Sequence, residues 1–88
     1  MSYIEACKAA VEYFDKHLGT KGLTTATEDE QQWFFSSGKD PSNMVGNVVI
    51  SVSKISGKIE MVDLLSDEGY EMLKKSTKIQ IPNEYIGL

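Results

Sequence analysis

The sequence predicts an α+β domain: an antiparallel sheet of about four strands, the N-terminal helix packed across one face, and a short second helix. Three observations lead there. Residues 2–18 carry an apolar stripe at helical spacing behind a capping sequence. The run Asn47 to Leu64 alternates apolar and polar residues on both sides of Ile55-Ser56-Gly57, as two half-buried strands would. Between these lie two shorter segments of strand composition, Leu23 to Thr27 and Gln32 to Ser36, separated by the acidic turn Glu28-Asp29-Glu30.

The first helix is expected over 2–18. Ser2 and Glu5 have the spacing of a capping box, in which each side chain accepts from the other residue's amide. Ile4, Cys7, Val11, Phe14 and Leu18, flanked by Tyr3 and Ala10, form the stripe that should cover the sheet. Lys16 and His17 suit the negative end of the helix dipole, and Gly19 suits the left-handed position that ends it.

In the central run, Val48, Ile50 and Val52 alternate with Val49, Ser51 and Ser53, and Ile59, Met61, Val62 and Leu64 follow the turn. A two-residue loop at Ile55-Ser56 pairs Val52 with Ile59 and Ile50 with Met61. A bulge at Gly57 shifts the pairing by one, setting Val52 opposite Glu60 and Ile50 opposite Val62. Side-chain matching favours the first register and Ser-Gly turn chemistry the second. Gly38 to Asn47 reads as a long loop, with Asp40-Pro41 opposing helix.

After Leu64 a second helix is expected from the N-cap Ser66. Asp67 and Glu68 lie at its positive end and Lys74 and Lys75 at its negative end, and Leu65 and Tyr70 have the spacing of a hydrophobic staple. Its place is expected at an end or edge of the sheet. Gly69 should weaken it by about 1 kcal/mol relative to alanine. Lys78 to Ile81 fits a short edge strand stopped by Pro82, and the apolar tail Tyr85-Ile86-Gly87-Leu88 should dock on the body or on another chain. A second copy of the chain would join through an edge strand or this tail.

With 88 residues, 41% hydrophobic and 25% charged, residues 1–88 form a single domain near the lower limit for an unaided core. The net charge of −4 opposes phosphate-driven nucleic-acid binding and suits a basic protein partner. The lone cysteine, Cys7, cannot close an internal disulfide, no apolar run reaches membrane-spanning length, and no basic-then-apolar leader opens the chain. A cytoplasmic location is the expectation.

No phosphate loop, nucleophile elbow, paired-histidine helix or cysteine cluster is present, so neither an enzyme nor a cofactor or metal is expected. The only histidine, His17, has an ordinary place at a helix end, and Cys7 an ordinary place on an apolar stripe. Trp33, Phe34 and Phe35 are consecutive and cannot all face one side of a sheet. If helices cover only one face, an outward aromatic would anchor a partner. Glu28, Asp29, Glu30, Trp33 and Asp40 are therefore the candidate partner-binding residues, although three adjacent acids more often form a solvated tip.

Glu30, Trp33, Phe35, Gly46, Asn47, Val52, Lys54, Ser56, Gly57 and the helix from Ser66 stand in the order seen in the immunity protein 35 or YrhB-like group. Across most of residues 3 to 75 the chain resembles that family of small bacterial α+β proteins. It departs from the pattern at Val48-Val49, where members tend to carry a small residue or proline. The resemblance implies an immunity protein that neutralises a cognate toxin by direct binding, and the acidic net charge suits a basic one. The alternative is a small chaperone-like or regulatory accessory protein without a toxin partner.

Overall fold

In the computed structural model, which describes residues 1–37, 48–63 and 65–86, a helix opens the chain and five antiparallel strands follow. Helix α1 (Tyr3–Leu18) begins on the expected capping box: the Ser2 amide donates to Glu5 Oε1 at 3.0 Å and the Glu5 amide to Ser2 Oγ at 3.2 Å. It ends at Gly19, φ 66°, whose amide returns to the Asp15 carbonyl. Strands β1 (Thr25–Glu28), β2 (Gln32–Ser37), β3 (Val48–Ser53) and β4 (Ile59–Met61) form a meander. Helix α2 (Asp67–Lys75) then leads to β5 (Thr77–Lys78) and a single 3-10 turn, Asn83–Tyr85.

The strand order is β4-β3-β2-β1-β5, so among the described residues the sheet has five strands rather than about four. The fifth is the expected edge strand, placed slightly earlier than Lys78 to Ile81. It pairs with β1 by setting Thr27 against Lys78 and Glu28 against Thr77.

The central hairpin takes the register that matches side chains, Val52 opposite Ile59 and Ile50 opposite Met61. Gly57 still adopts φ 75°, but as the last residue of a four-residue loop, Lys54–Gly57. Its amide donates to the Ser53 carbonyl at 2.9 Å, and the Ser53 amide donates to the Lys58 carbonyl at 3.0 Å. The glycine requirement and the apolar pairing are both met with no bulge.

The core lies between α1 and one face of the sheet. Ala6, Cys7, Ala10 and Phe14 of the helix pack on Ala26, Trp33, Phe35, Ile50 and Val52. The buried stripe is rotated slightly from the expected one: Cys7, Ala10 and Phe14 are buried as expected, but Ile4 and Leu18 are exposed and Ala6 is fully buried. Two alanines let the helix backbone lie close to the strands, and the Tyr3 ring stacks on Phe35 at 6.1 Å and lies tilted against Trp33 at 6.0 Å. Leu23 closes one end, donating to the Tyr85 carbonyl at 2.7 Å and bridging to Ile86, so the tail docks on the body through Ile86.

Helix α2 is not at an end or edge. It leaves the β4 edge and reaches β5 at the other, so it must cross the sheet, and it does so on the face opposite α1. Gln32 Nε2 donates to Met72 Sδ at 3.6 Å, and Ser76 Oγ donates to Thr27 Oγ1 at 2.8 Å. Ser66 caps the helix as expected, accepting from the Gly69 amide. The Leu65–Tyr70 staple is absent, because Leu65 is 97% exposed.

Candidate functional site

Both faces of the sheet are covered, which settles the aromatic question. Trp33, Phe34 and Phe35 are all buried. Trp33 and Phe35 point at α1, and Phe34 points to the other face beside Thr27 and Ser51. No outward aromatic is present in β2, and Trp33 is no anchor for a partner. Its ring is roofed by Lys54, whose Nζ lies 5.4 Å from the ring centroid and 3.1 Å from Glu28 Oε2.

The acidic tip divides by role. Glu28 is held by Lys54. Asp29 Oδ1 accepts from the amides of Gln31 and Gln32 at 2.8 and 2.9 Å, which fixes the β1–β2 turn. Glu30 is exposed. Asp40 lies outside the described residues, as do Gly46 and Asn47 of the resemblance.

Where α2 crosses the sheet it leaves a groove of about 300 Å³. Its floor is Gln32, Ser51 and Glu60 from β2, β3 and β4, and its walls include Asp63, Glu68 and Met72. Gly69 sets its depth: a Cβ there would stand 2.1 Å from the Asp63 carbonyl oxygen. The missing side chain lets the start of α2 close onto the chain leaving β4, where Ser66 Oγ also donates to that oxygen at 2.9 Å.

The groove is acidic. Glu60 is paired with Lys58 at 3.2 Å, and Asp63 Oδ1 accepts from the Leu65 amide at 3.0 Å. Glu68 has no cation within pairing distance among the described residues. The tip adjoins this surface, because Asp29 Oδ2 accepts from the Gln32 amide side chain at 3.5 Å and Gln32 lies on the groove floor. Three carboxylates beside the thioether of Met72 suit the charged end and apolar stem of a lysine or arginine. Sequence reading missed the groove because Glu60, Asp63 and Glu68 lie on different elements. Gly69, inside a helix, was the available signal of a close approach.

The remaining reactive groups have structural places. Cys7 is buried under α1, and burial pushes its thiol pKa up, opposing the thiolate. His17 is exposed in the last turn of α1, its ring 4.4 Å from that of Tyr13. Among the described residues no three of His, Cys, Asp and Glu gather as metal ligands would, and no helix is long and apolar enough to cross a membrane. Comparison of the chain with protein-family models, curated proteins and solved structures found no match.

Proposed function

We propose that this chain is a small cytoplasmic binding domain that holds a basic protein partner, most concretely an immunity protein occluding a cognate toxin. The observation that supports binding is the acidic groove between α2 and the sheet, with Glu30 on the adjoining tip. In this reading a lysine or arginine of the partner enters the groove beside Glu68 and Glu60, and its stem lies along Met72. The wider negative charge speeds encounter, so the acids act mainly on association rate and salt dependence. The toxin assignment rests on the sequence resemblance, carried by Glu30, Trp33, Phe35, Gly46, Asn47, Val52, Lys54, Ser56, Gly57 and the helix from Ser66.

The test pairs the chain with the toxin domain encoded beside its own gene. Co-expression should restore growth, and calorimetry at low salt should show a complex. Glu60→Gln with Glu68→Gln should weaken that complex about tenfold or more, equivalent to about 1.4 kcal/mol, with an unchanged thermal melt. Intact affinity in the double variant removes the groove from the reading. Absence of both rescue and complex removes the immunity role.

A further inference from the structure

Strand β4 stands at one end of the sheet and carries a charge pattern. Among the described residues, nothing pairs with the outer side of β4. The Lys58 carbonyl accepts from Ser53 and the Val62 amide donates to Val49, so these residues turn their main-chain groups toward β3. Main-chain groups alternate along a strand, so Ile59 and Met61 turn theirs outward. Side chains alternate as well. Ile59 and Met61 share the α1 face with their partners Val52 and Ile50, while Lys58 and Glu60 lie on the opposite face, 3.2 Å apart and both largely exposed.

We propose that β4 pairs antiparallel with β4 of a second copy of this chain, Ile59 opposite the partner's Ile59. Hydrogen-bonded pairs can join only outward-turned residues, so few registers exist. Centring on Ile59 sets Lys58 against the partner's Glu60 and Glu60 against the partner's Lys58. Moving the centre to Glu60 sets glutamate against glutamate, and moving it to Lys58 sets lysine against lysine. Like charges directly opposite destabilise a strand pair and opposite charges stabilise it. A lysine on an edge strand ordinarily discourages pairing, but in this register a glutamate meets it.

The α1 face gives a second reason. The same register brings Met61, 62% exposed, alongside the partner's loop residue Gly57. In each chain the Met1 side chain already occupies the space above Gly57, with Cε 2.9 Å from where a Cβ would stand. Each exposed Met61 thus gains the other copy's Met1 as an apolar neighbour, twice by symmetry. The contact is isologous and closes as a dimer. A seam this short falls in the weak, transient class.

Sedimentation velocity of the full chain from about 10 μM to 1 mM, the weak-affinity range, should show the mass rising toward that of a dimer. Lys58→Glu and Glu60→Lys should each reduce association about tenfold or more, and the double variant K58E/E60K should restore it. Circular dichroism checks that these exposed substitutions leave the fold intact. The Ile59 amide should exchange more slowly as concentration rises. A single-chain mass throughout overturns the proposal, as does association indifferent to the single reversals, a double variant that fails to recover, or Ile59 exchange independent of concentration. Glu60 also lines the groove, so the readouts are mass and exchange and never partner affinity.

Discussion

Replacing Gly69 with alanine sets two physical effects against each other with opposite signs. Helix propensity alone favours alanine by about 1 kcal/mol inside a helix. The structure opposes it, because the new Cβ would lie 2.1 Å from the Asp63 carbonyl oxygen and 3.0 Å from its carbon. Ordinary contact requires roughly 1–1.5 Å more. The obstacle is backbone and cannot swing aside, so the first turn of α2 must lift. That lift stretches the bond from Ser66 Oγ to the Asp63 carbonyl at 2.9 Å and disturbs the N-cap bond from the Gly69 amide at 3.1 Å. Loss of an N-cap costs about 0.5–2 kcal/mol and overpacking about 1–3 kcal/mol. Set against the propensity gain, the net expectation is a destabilisation of about 1–3 kcal/mol. In urea unfolding at 25 °C followed by Trp33 fluorescence, the midpoint should fall by about 1 M for an m-value of 1–2 kcal/mol/M. A midpoint at or above wild type would refute the close approach and return Gly69 to an ordinary weak point in a helix.

Other consequences are open to measurement. Phe14→Ala removes a fully buried ring from the contact between α1 and the sheet and should cost about 3–5 kcal/mol, read as a lowered denaturation midpoint; an unchanged midpoint would mean that α1 is not the cover. Cys7 should resist a thiol reagent at pH 8 in the folded protein and react fully in denaturant, and reaction at the rate of a free thiol in the fold would contradict its burial. The Tyr3 phenol is pushed well above its ordinary range, first by burial and then by the neighbouring Cys7, and it donates to the Gln80 carbonyl at 2.9 Å. In the unfolded chain it ionises first, near about pH 10, so its contribution is complete below that pH and falls as pH rises beyond it. Tyr3→Phe should flatten that alkaline limb, and an identical alkaline profile in the variant would count against it.

The fold was legible where one segment carries its own signal. Ser2, Glu5 and Gly19 mark α1 because capping is a local exchange of hydrogen bonds. The alternation through Val48–Ser53 marks β3 because period two is local as well. The depth of α1 was not legible. A stripe traced through large residues selects Ile4 and Leu18 and passes over Ala6, which is fully buried and whose small size matters only against a neighbour. The course of α2 was hidden for a related reason: no residue of α2 states that β5 lies on the far edge. The hairpin posed a false choice, because Gly57 supplies its positive φ in a four-residue loop as readily as in a bulge.

The candidate site divides along the same line. Glu28, Asp29 and Glu30 read as one acidic unit, yet Lys54, distant in sequence, claims the first and the turn amides claim the second. The groove draws its carboxylates from β4, the segment after it and α2, and only tertiary structure brings them together.

The crossing of α2 also bears on the order in which the molecule assembles and opens. Strands β1 to β4 pair with their neighbours along the chain, so the meander can form by successive closures between adjacent strands. Strand β5 must wait, since pairing Thr77 with Glu28 closes a loop that spans the whole meander and α2. Once in place, α2 has a single buried residue, Gly69, and side-chain bonds to the sheet from Met72 and Ser76. Few buried contacts and a late, long closure describe a low-stability foldon lying over a firmer one. Native-state exchange should therefore release the amides of α2 and β5 before those of β2 and β3. A ligand seated between the two layers would lose part of its binding free energy to ordering that outer unit, and would in turn suppress its opening while leaving the inner strands untouched.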